Sequence, residues 1–261
     1  MIAVDSLTHK TDVFYPSRDG EPLAETYDHV YVLMATMLVL KEYLKDRKAT
    51  VLADQFMYYA AGFPKLRVAP DVMVIFDVEP GGRDNYKIWE EGQVPAVIFE
   101  MTSPSTKEQD QTVKKNLYES LEVKEYWLFD PKGQWITEQL RGYRLVGDSY
   151  QLITDNRSET LGLRLQVSGK IIDFYREDNG QKLLIPDELY AALQEATLAR
   201  IEAEQRVETE KQRAETEKQR AETEKQRAET EKQRAETEKQ RADELAALLN
   251  QYRQQFGDLS K

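Results

Sequence analysis

The sequence predicts an α/β domain with a mixed sheet flanked by helices, followed by a long C-terminal helical tail. Three observations predict it. Two apolar runs, residues 72–76 and 97–99, have the continuous hydrophobicity of strands buried on both faces. Residues 26–45 and the stretch after 106 instead space their apolar side chains at helical intervals. From Val207 onward the unit Ala-Glu-Thr-Glu-Lys-Gln-Arg recurs every seven residues. The order of helix, strands, helix, strand and hairpins describes an α/β core with a mixed sheet rather than a doubly wound nucleotide fold.

In chain order, residues 1–24 are polar and rich in turn formers (Pro16, Ser17, Asp19, Gly20, Pro22), and are expected to form a loose arm. Residues 25–185 are expected to be one domain. Val30, Leu33, Met34, Met37, Leu38, Leu40 and Leu44 give its first helix an apolar side, and Asp28 suits the positive end of the helix dipole. Strands are expected over 49–59, 68–78, 94–101 and 125–129, broken by Gly62-Phe63-Pro64 and by the turn-rich loop 79–84. Thr106 is placed to cap a helix starting near Lys107, on which Val113, Leu117, Tyr118 and Leu121 form the apolar side. Short strand-like pieces at 135–140, 143–146, 150–154, 163–167 and 171–175, punctuated by Gly, Asp and Asn, suggest an antiparallel meander.

Residues 186–261 are expected to be a charged helix opened by Pro186. A coiled coil requires two apolar positions per heptad. Each repeat here supplies one small residue, headed by Ala214, Ala221, Ala228 and Ala235. Glu–Lys and Glu–Arg pairs at i,i+3, such as Glu215 with Lys218, add only about 0.2–0.5 kcal/mol each. A solvated single helix and a weak coiled coil that makes a homodimer both fit this pattern. Leu245, Leu248, Leu249, Tyr252 and Phe256 form an apolar stripe suited to self-association or to folding back.

Composition narrows the chemistry. The 261 residues contain no cysteine, which excludes disulfides, thiolate catalysis and cysteine-ligated metals. Together with the lack of a basic-then-apolar leader, this leads us to expect a cytoplasmic protein. The most apolar stretch, 30–40, is too short to span a bilayer. With 36 basic and 47 acidic residues the net charge is −11, which disfavours non-specific nucleic-acid binding. His9 and His29 are the two histidines, too few for a histidine metal cluster, and a packed or surface role is expected of His29. Gly81-Gly82 is followed by no Lys-Ser/Thr and makes no phosphate loop.

The residues that carry chemistry lie in 70–118. Asp71 follows Pro70 and opens one apolar run; Glu100 closes the other. A carboxylate at the edge of a buried strand is costly unless it is paired or binds a cation. Two such acids from neighbouring strands suit Mg²⁺ or Mn²⁺, with oxygen donors and a partly hydrated ion. On the following helix Asp110, Lys114 and Tyr118 stand at i, i+4 and i+8, on one side. A lysine on a helix is ordinarily solvated, yet Lys114, or its neighbour Lys115, is within reach of the two acids and of a scissile phosphate.

Pro70-Asp71-Val72, Val97-Ile98-Phe99-Glu100, Ser103-Pro104-Ser105-Thr106, Asp110, Lys114, Tyr118 and residues 125–131 resemble the Uma-two family, within the PD-(D/E)XK nuclease superfamily. The resemblance covers roughly residues 28–184. It implies a restriction-endonuclease-like fold and a metal-dependent endonuclease that hydrolyses phosphodiester bonds of nucleic acid, with DNA as the expected partner. It also implies catalytic roles for Asp71, Glu100 and Lys114, with Asp71 and Glu100 as the metal ligands. Thr102 stands where a Glu-x-Lys motif would place its lysine; relatives also lack it there, and the resemblance implies a migrated lysine at Lys114. The alternative is a nuclease-fold module of weak or no activity that works through its helical tail.

Overall fold

The computed structural model describes residues 13–18 and 25–257. By internal contacts the chain divides into two compact units, Met1–Ala191 and Ala192–Lys261.

The first unit is built on a six-stranded mixed sheet of order β1-β4-β6-β7-β8-β9. Its strands are β1 (Ala49–Ala53), β4 (Val72–Phe76), β6 (Val97–Met101), β7 (Glu125–Phe129), β8 (Leu140–Val146) and β9 (Ser149–Ile153). β6 and β7 run parallel and every other pair is antiparallel. The β6–β7 crossover is the only parallel step of this sheet, and its helix is the one that carries Lys114.

The two faces of the sheet follow the period-two rule. Val72, Val74, Val97, Phe99, Trp127 and Phe129 point to one side. There they meet α1 (Tyr27–Tyr43) and a second sheet, β10 (Arg157–Ser158), β11 (Leu163–Ser168), β12 (Ile171–Arg176) and β13 (Lys182–Leu183). Met73, Ile75, Ile98, Tyr126 and Leu128 point to the other side. They pack against Tyr118 of α3 (Lys115–Ser120), and against Met57 and Tyr86 of a small sheet of β2 (Met57–Tyr58), β3 (Arg67–Val68) and β5 (Tyr86–Lys87). Each fully buried aliphatic side chain contributes about 1.5–3 kcal/mol. α1 is anchored through Val32, Ala35, Val39 and Leu40, and is capped by the Thr26 hydroxyl, which accepts the His29 backbone N–H at 3.4 Å.

Several expectations are corrected. The strand expected over 49–59 is interrupted by Asp54, whose φ of 49° lies in the left-handed region, so β1 and β2 belong to different sheets. Ile88–Glu91 forms a short helix, α2, in a segment for which the sequence predicted no element. Residues 135–139 form turns rather than a strand, because the Asp130 carboxylate collects the backbone N–H groups of Lys132, Trp135 and Ile136. The expected meander is divided: β8 and β9 extend the main sheet, and β10–β13 form their own. Residues 13–18 of the expected loose arm are held on the domain, through Tyr58 Oη donating to the Pro16 carbonyl at 2.5 Å and the Tyr15 hydroxyl accepting from Gly62 N–H at 2.6 Å. The remainder of that arm, including His9, lies outside the described residues.

α4 (Pro186–Phe256) begins in the first unit, and its part from Ala192 to Phe256 is the described helix of the second. The threonines of the repeat, Thr209, Thr216, Thr223, Thr230 and Thr237, each donate to the carbonyl four residues back at 2.8 Å. Ion pairs in this unit include Arg200–Glu204 and Arg206–Glu202, both i,i+4 and both before the repeat. No helix among the described residues is long and apolar enough to cross a membrane.

Gly142 lies opposite Trp127 in the β7–β8 ladder, and a Cβ there would stand 2.5 Å from the indole ring. Trp127 is fully buried and cannot move aside cheaply. Gly142→Ala is therefore expected to destabilise the first unit by about 1–3 kcal/mol. A urea midpoint equal to that of the wild type would show that the ring yields.

Candidate active site

Two strand ends build the acidic half of the site. Val72 pairs with Phe99 across β4 and β6. The residue before Val72 is Asp71 and the residue after Phe99 is Glu100, so the two acids adjoin at the end of this ladder. Glu100 follows Ile98 onto the face turned toward α3 and is completely buried. Asp71 is held by its Oδ2, which accepts the Met101 backbone N–H at 2.5 Å.

The crossover helix supplies the basic half. Ser103 lies where the chain leaves β6, and its carbonyl accepts the Lys107 N–H at 3.0 Å; its own N–H is taken by the Thr106 hydroxyl at 3.1 Å. Pro104 follows at a position where its missing N–H costs nothing. Thr106 thus closes the helix start reciprocally with Ser103 rather than capping it alone. The helix then widens into a π-helical segment, Gln109–Lys114, before continuing as α3. A regular α-helix drifts by about 40° over four residues. The wider turn offsets part of that drift, which keeps Asp110, Lys114 and Tyr118 in a row facing β6.

The row meets the acids directly. Lys114 Nζ donates to Glu100 Oε2 at 2.8 Å and lies 3.0 Å from Asp110 Oδ1. Tyr118 Oη donates to Glu100 Oε1 at 2.7 Å. The sequence left Lys114 and Lys115 as alternatives; Lys115 Nζ instead lies over the rings of Tyr143 and Tyr150, at 4.9 and 5.6 Å from their centroids. Tyr118 holds Glu100 and not Lys114, whereas Asp110 does hold the lysine.

His29, expected to have only a packed or surface role, is 9% exposed, with Nε2 at 3.7 Å from Asp71 Oδ1 and Nδ1 at 3.9 Å from Glu25. No pattern in the sequence marks it, because its partner is forty-two residues away on another element. Thr102, at the position of the missing lysine, is buried, and its hydroxyl has no partner among the described residues.

Three carboxylates meet two bases here: Glu100 and Asp110 pair with Lys114, and Asp71 lies against His29. Burial pushes Glu100 up to about 8, against the pull of Lys114 and with the help of Asp71 and Asp110. Burial likewise raises Asp110, and Lys114 only partly counters it. Burial would lower Lys114, but Glu100 and Asp110 outweigh it and hold the ammonium charged. Burial also lowers His29, yet the hydrogen bond and charge of Asp71 carry it above its ordinary value.

The donor set fits a hard divalent cation of the magnesium type. Such an ion takes one or two carboxylates and completes its shell with water and phosphate oxygens. Asp71 and Glu100 would be the carboxylates to hold one, each with lone pairs beyond the bonds already described. Among the described residues no three acids or histidines form a ready-made cation cage, so the site is unlike the closed polydentate centres used for zinc.

Among curated proteins none matches this chain. A crystal structure of "a putative nuclease belonging to DUF820" from Anabaena variabilis is similar at 17% sequence identity and a TM-score of 0.38, over 52% of this chain and 72% of that one. The model of the Uma2 family, described as "Putative restriction endonuclease", matches residues 7–171, well over half of the sequence, and the chain belongs to that family.

Proposed function

We propose that the protein is a metal-dependent endonuclease that hydrolyses phosphodiester bonds, with DNA as its substrate. The observation that carries this reading is the meeting of Asp71 and Glu100 at the ends of β4 and β6 with Lys114 bonded to Glu100. Asp71 and Glu100 would hold a Mg²⁺ or Mn²⁺ ion. When bound, such an ion supplies Lewis-acid polarisation of a phosphate and a more acidic water.

The chain's own residues have separable tasks. The Met101 N–H and His29 orient Asp71, and Tyr118 orients Glu100. Asp110 fixes the amine of Lys114 beside Glu100, where its charge stabilises negative charge developing on a phosphate oxygen. Family membership supports the nuclease class. Asp71, Glu100 and Lys114 are our assignment.

Glu100→Gln keeps the size of the side chain and an acceptor for Tyr118 while removing the charge. It is expected to reduce cleavage of DNA in Mg²⁺ or Mn²⁺ by about 100-fold or more. Equal cleavage by the variant and the wild type would remove Glu100 from the reaction.

The raised Glu100 also sets a pH dependence. The folded protein keeps a proton on Glu100 that the unfolded chain loses near 4.5, the ordinary value. This contribution to stability is complete below that value and is lost as pH rises through about 8. The metal-free protein should therefore melt at falling temperature from roughly pH 5 to 8 and level off above that, and Glu100→Gln should show a flatter profile. Parallel profiles would place the titration elsewhere.

A further inference from the structure

Beside the acids lies a cavity of about 360 Å³ whose lining, His29 apart, has no task in the proposed cleavage. It opens where the parallel strands β6 and β7 end, the position at which open α/β sheets characteristically bind ligands. Thr102 and Ser103 line it from the end of β6, Lys132 and Trp135 from the loop after β7, and His29 from α1. The volume falls near the lower end of the about 300–1,000 Å³ typical of small-ligand pockets. A single nucleoside fits such a space; a base pair within a duplex does not.

The loop is built to present Trp135. Asp130 is 1% exposed, and its carboxylate accepts the N–H groups of Lys132 at 3.0 Å, Trp135 at 2.5 Å and Ile136 at 3.0 Å. One buried side chain thereby fixes the whole turn. Trp135 itself stays half-buried at the cavity wall, with Lys107 Nζ 3.8 Å from its ring centroid. Lys132 adds a second, exposed cation. An aromatic platform accompanied by cations is the chemistry that holds unpaired bases, since stacking needs a free π face and the cations meet the backbone.

The cavity's polar groups suit the edges of a base. The Thr102 hydroxyl is buried without a partner among the described residues, and Ser103 Oγ lies 2.9 Å from Ser105 Oγ. The acids at this wall are largely accounted for. Asp130 is locked under the three N–H groups, and Asp28 is neutralised by Lys170 at 2.8 Å. Glu25 remains, near His29.

From this geometry we infer that the cavity is a subsite for one unpaired nucleotide, stacked on Trp135, so that the preferred substrate is single-stranded nucleic acid or a nucleotide extruded from a duplex. The inference deepens the nuclease reading and rests on it for the choice of a nucleic acid as ligand.

The test is binding of a fluorescein-labelled oligothymidylate to the full chain in EDTA, with the same strand annealed to oligoadenylate as the duplex arm. The single strand should bind more tightly than the duplex. Trp135→Ala should weaken single-strand binding by about 5- to 150-fold, the equivalent of stacking one base, and Trp135→Phe should keep most of it. Duplex binding should be unchanged in both variants. Unaltered single-strand affinity in Trp135→Ala, equal losses for both ligands, or no single-strand binding by the wild type would each overturn the subsite. A Trp135→Ala protein that has lost its wild-type melting transition is replaced by the Trp135→Phe and Trp135→Leu pair, whose equal affinities would also overturn it. Cleavage in Mg²⁺ is scored separately. Cleavage without Trp135-dependent binding removes the subsite and leaves the nuclease, whereas Trp135-dependent binding without cleavage does the reverse.

Discussion

The gathering of Asp71, Glu100 and Asp110 with Lys114 and His29 at the end of a buried sheet is the constraint around which the first unit is arranged. Burying charge is expensive, and a structure that does so must pair the groups or hold them by other means. Each acid here is restrained separately: Asp71 by a backbone N–H, Glu100 by a phenol and an amine, Asp110 by the same amine. The π-helical turn serves this arrangement, since it keeps Asp110, Lys114 and Tyr118 in line with β6. Such turns cost helix stability and are found mostly where function requires them.

A second buried glutamate shows what a purely structural solution looks like. Glu125, at the opposite end of β7 from the site, is as fully buried as Glu100. Its oxygens accept from the Ser158 hydroxyl at 2.5 Å, the Thr160 N–H at 3.1 Å, the Trp127 indole at 3.3 Å and Arg144 Nε at 3.4 Å. That ring of donors ties β7 to β8 and to the segment around β10, and the exposed Glu159 shares its Arg144 at 2.8 Å. Glu100 faces two further acids instead. The difference sets a carboxylate that fastens a fold apart from the one we propose as a cation ligand.

Much of this was legible in the sequence. The continuous apolar runs gave the central strands, because burial on both faces leaves no alternation to confuse with a helix. The acids at 71 and 100 stood out for the same reason: a charge set directly against such a run is unusual. Lys114 was separable from Lys115 only in three dimensions, where a one-residue step around a helix sends one amine to Glu100 and the other to a pair of tyrosines. His29 was invisible because proximity to Asp71 arises from packing α1 across the sheet. The turn at 135–139 was misread as a strand because its apolar Trp135 and Ile136 imitate one, while the residue that decides it, Asp130, precedes it. The tail's period was plain, but its single alanine per heptad carries too little apolar surface for the sequence to choose a partner.

If Asp71 and Glu100 hold a divalent cation as proposed, that cation has to displace the proton that burial favours on Glu100. Calorimetric titration of Mg²⁺ into the metal-free protein near neutral pH, in buffers of different ionisation enthalpy, measures this directly. The account predicts binding accompanied by proton release, seen as a buffer-dependent heat, with the release abolished in Glu100→Gln. Binding whose heat is the same in every buffer, or no binding at all, would contradict it.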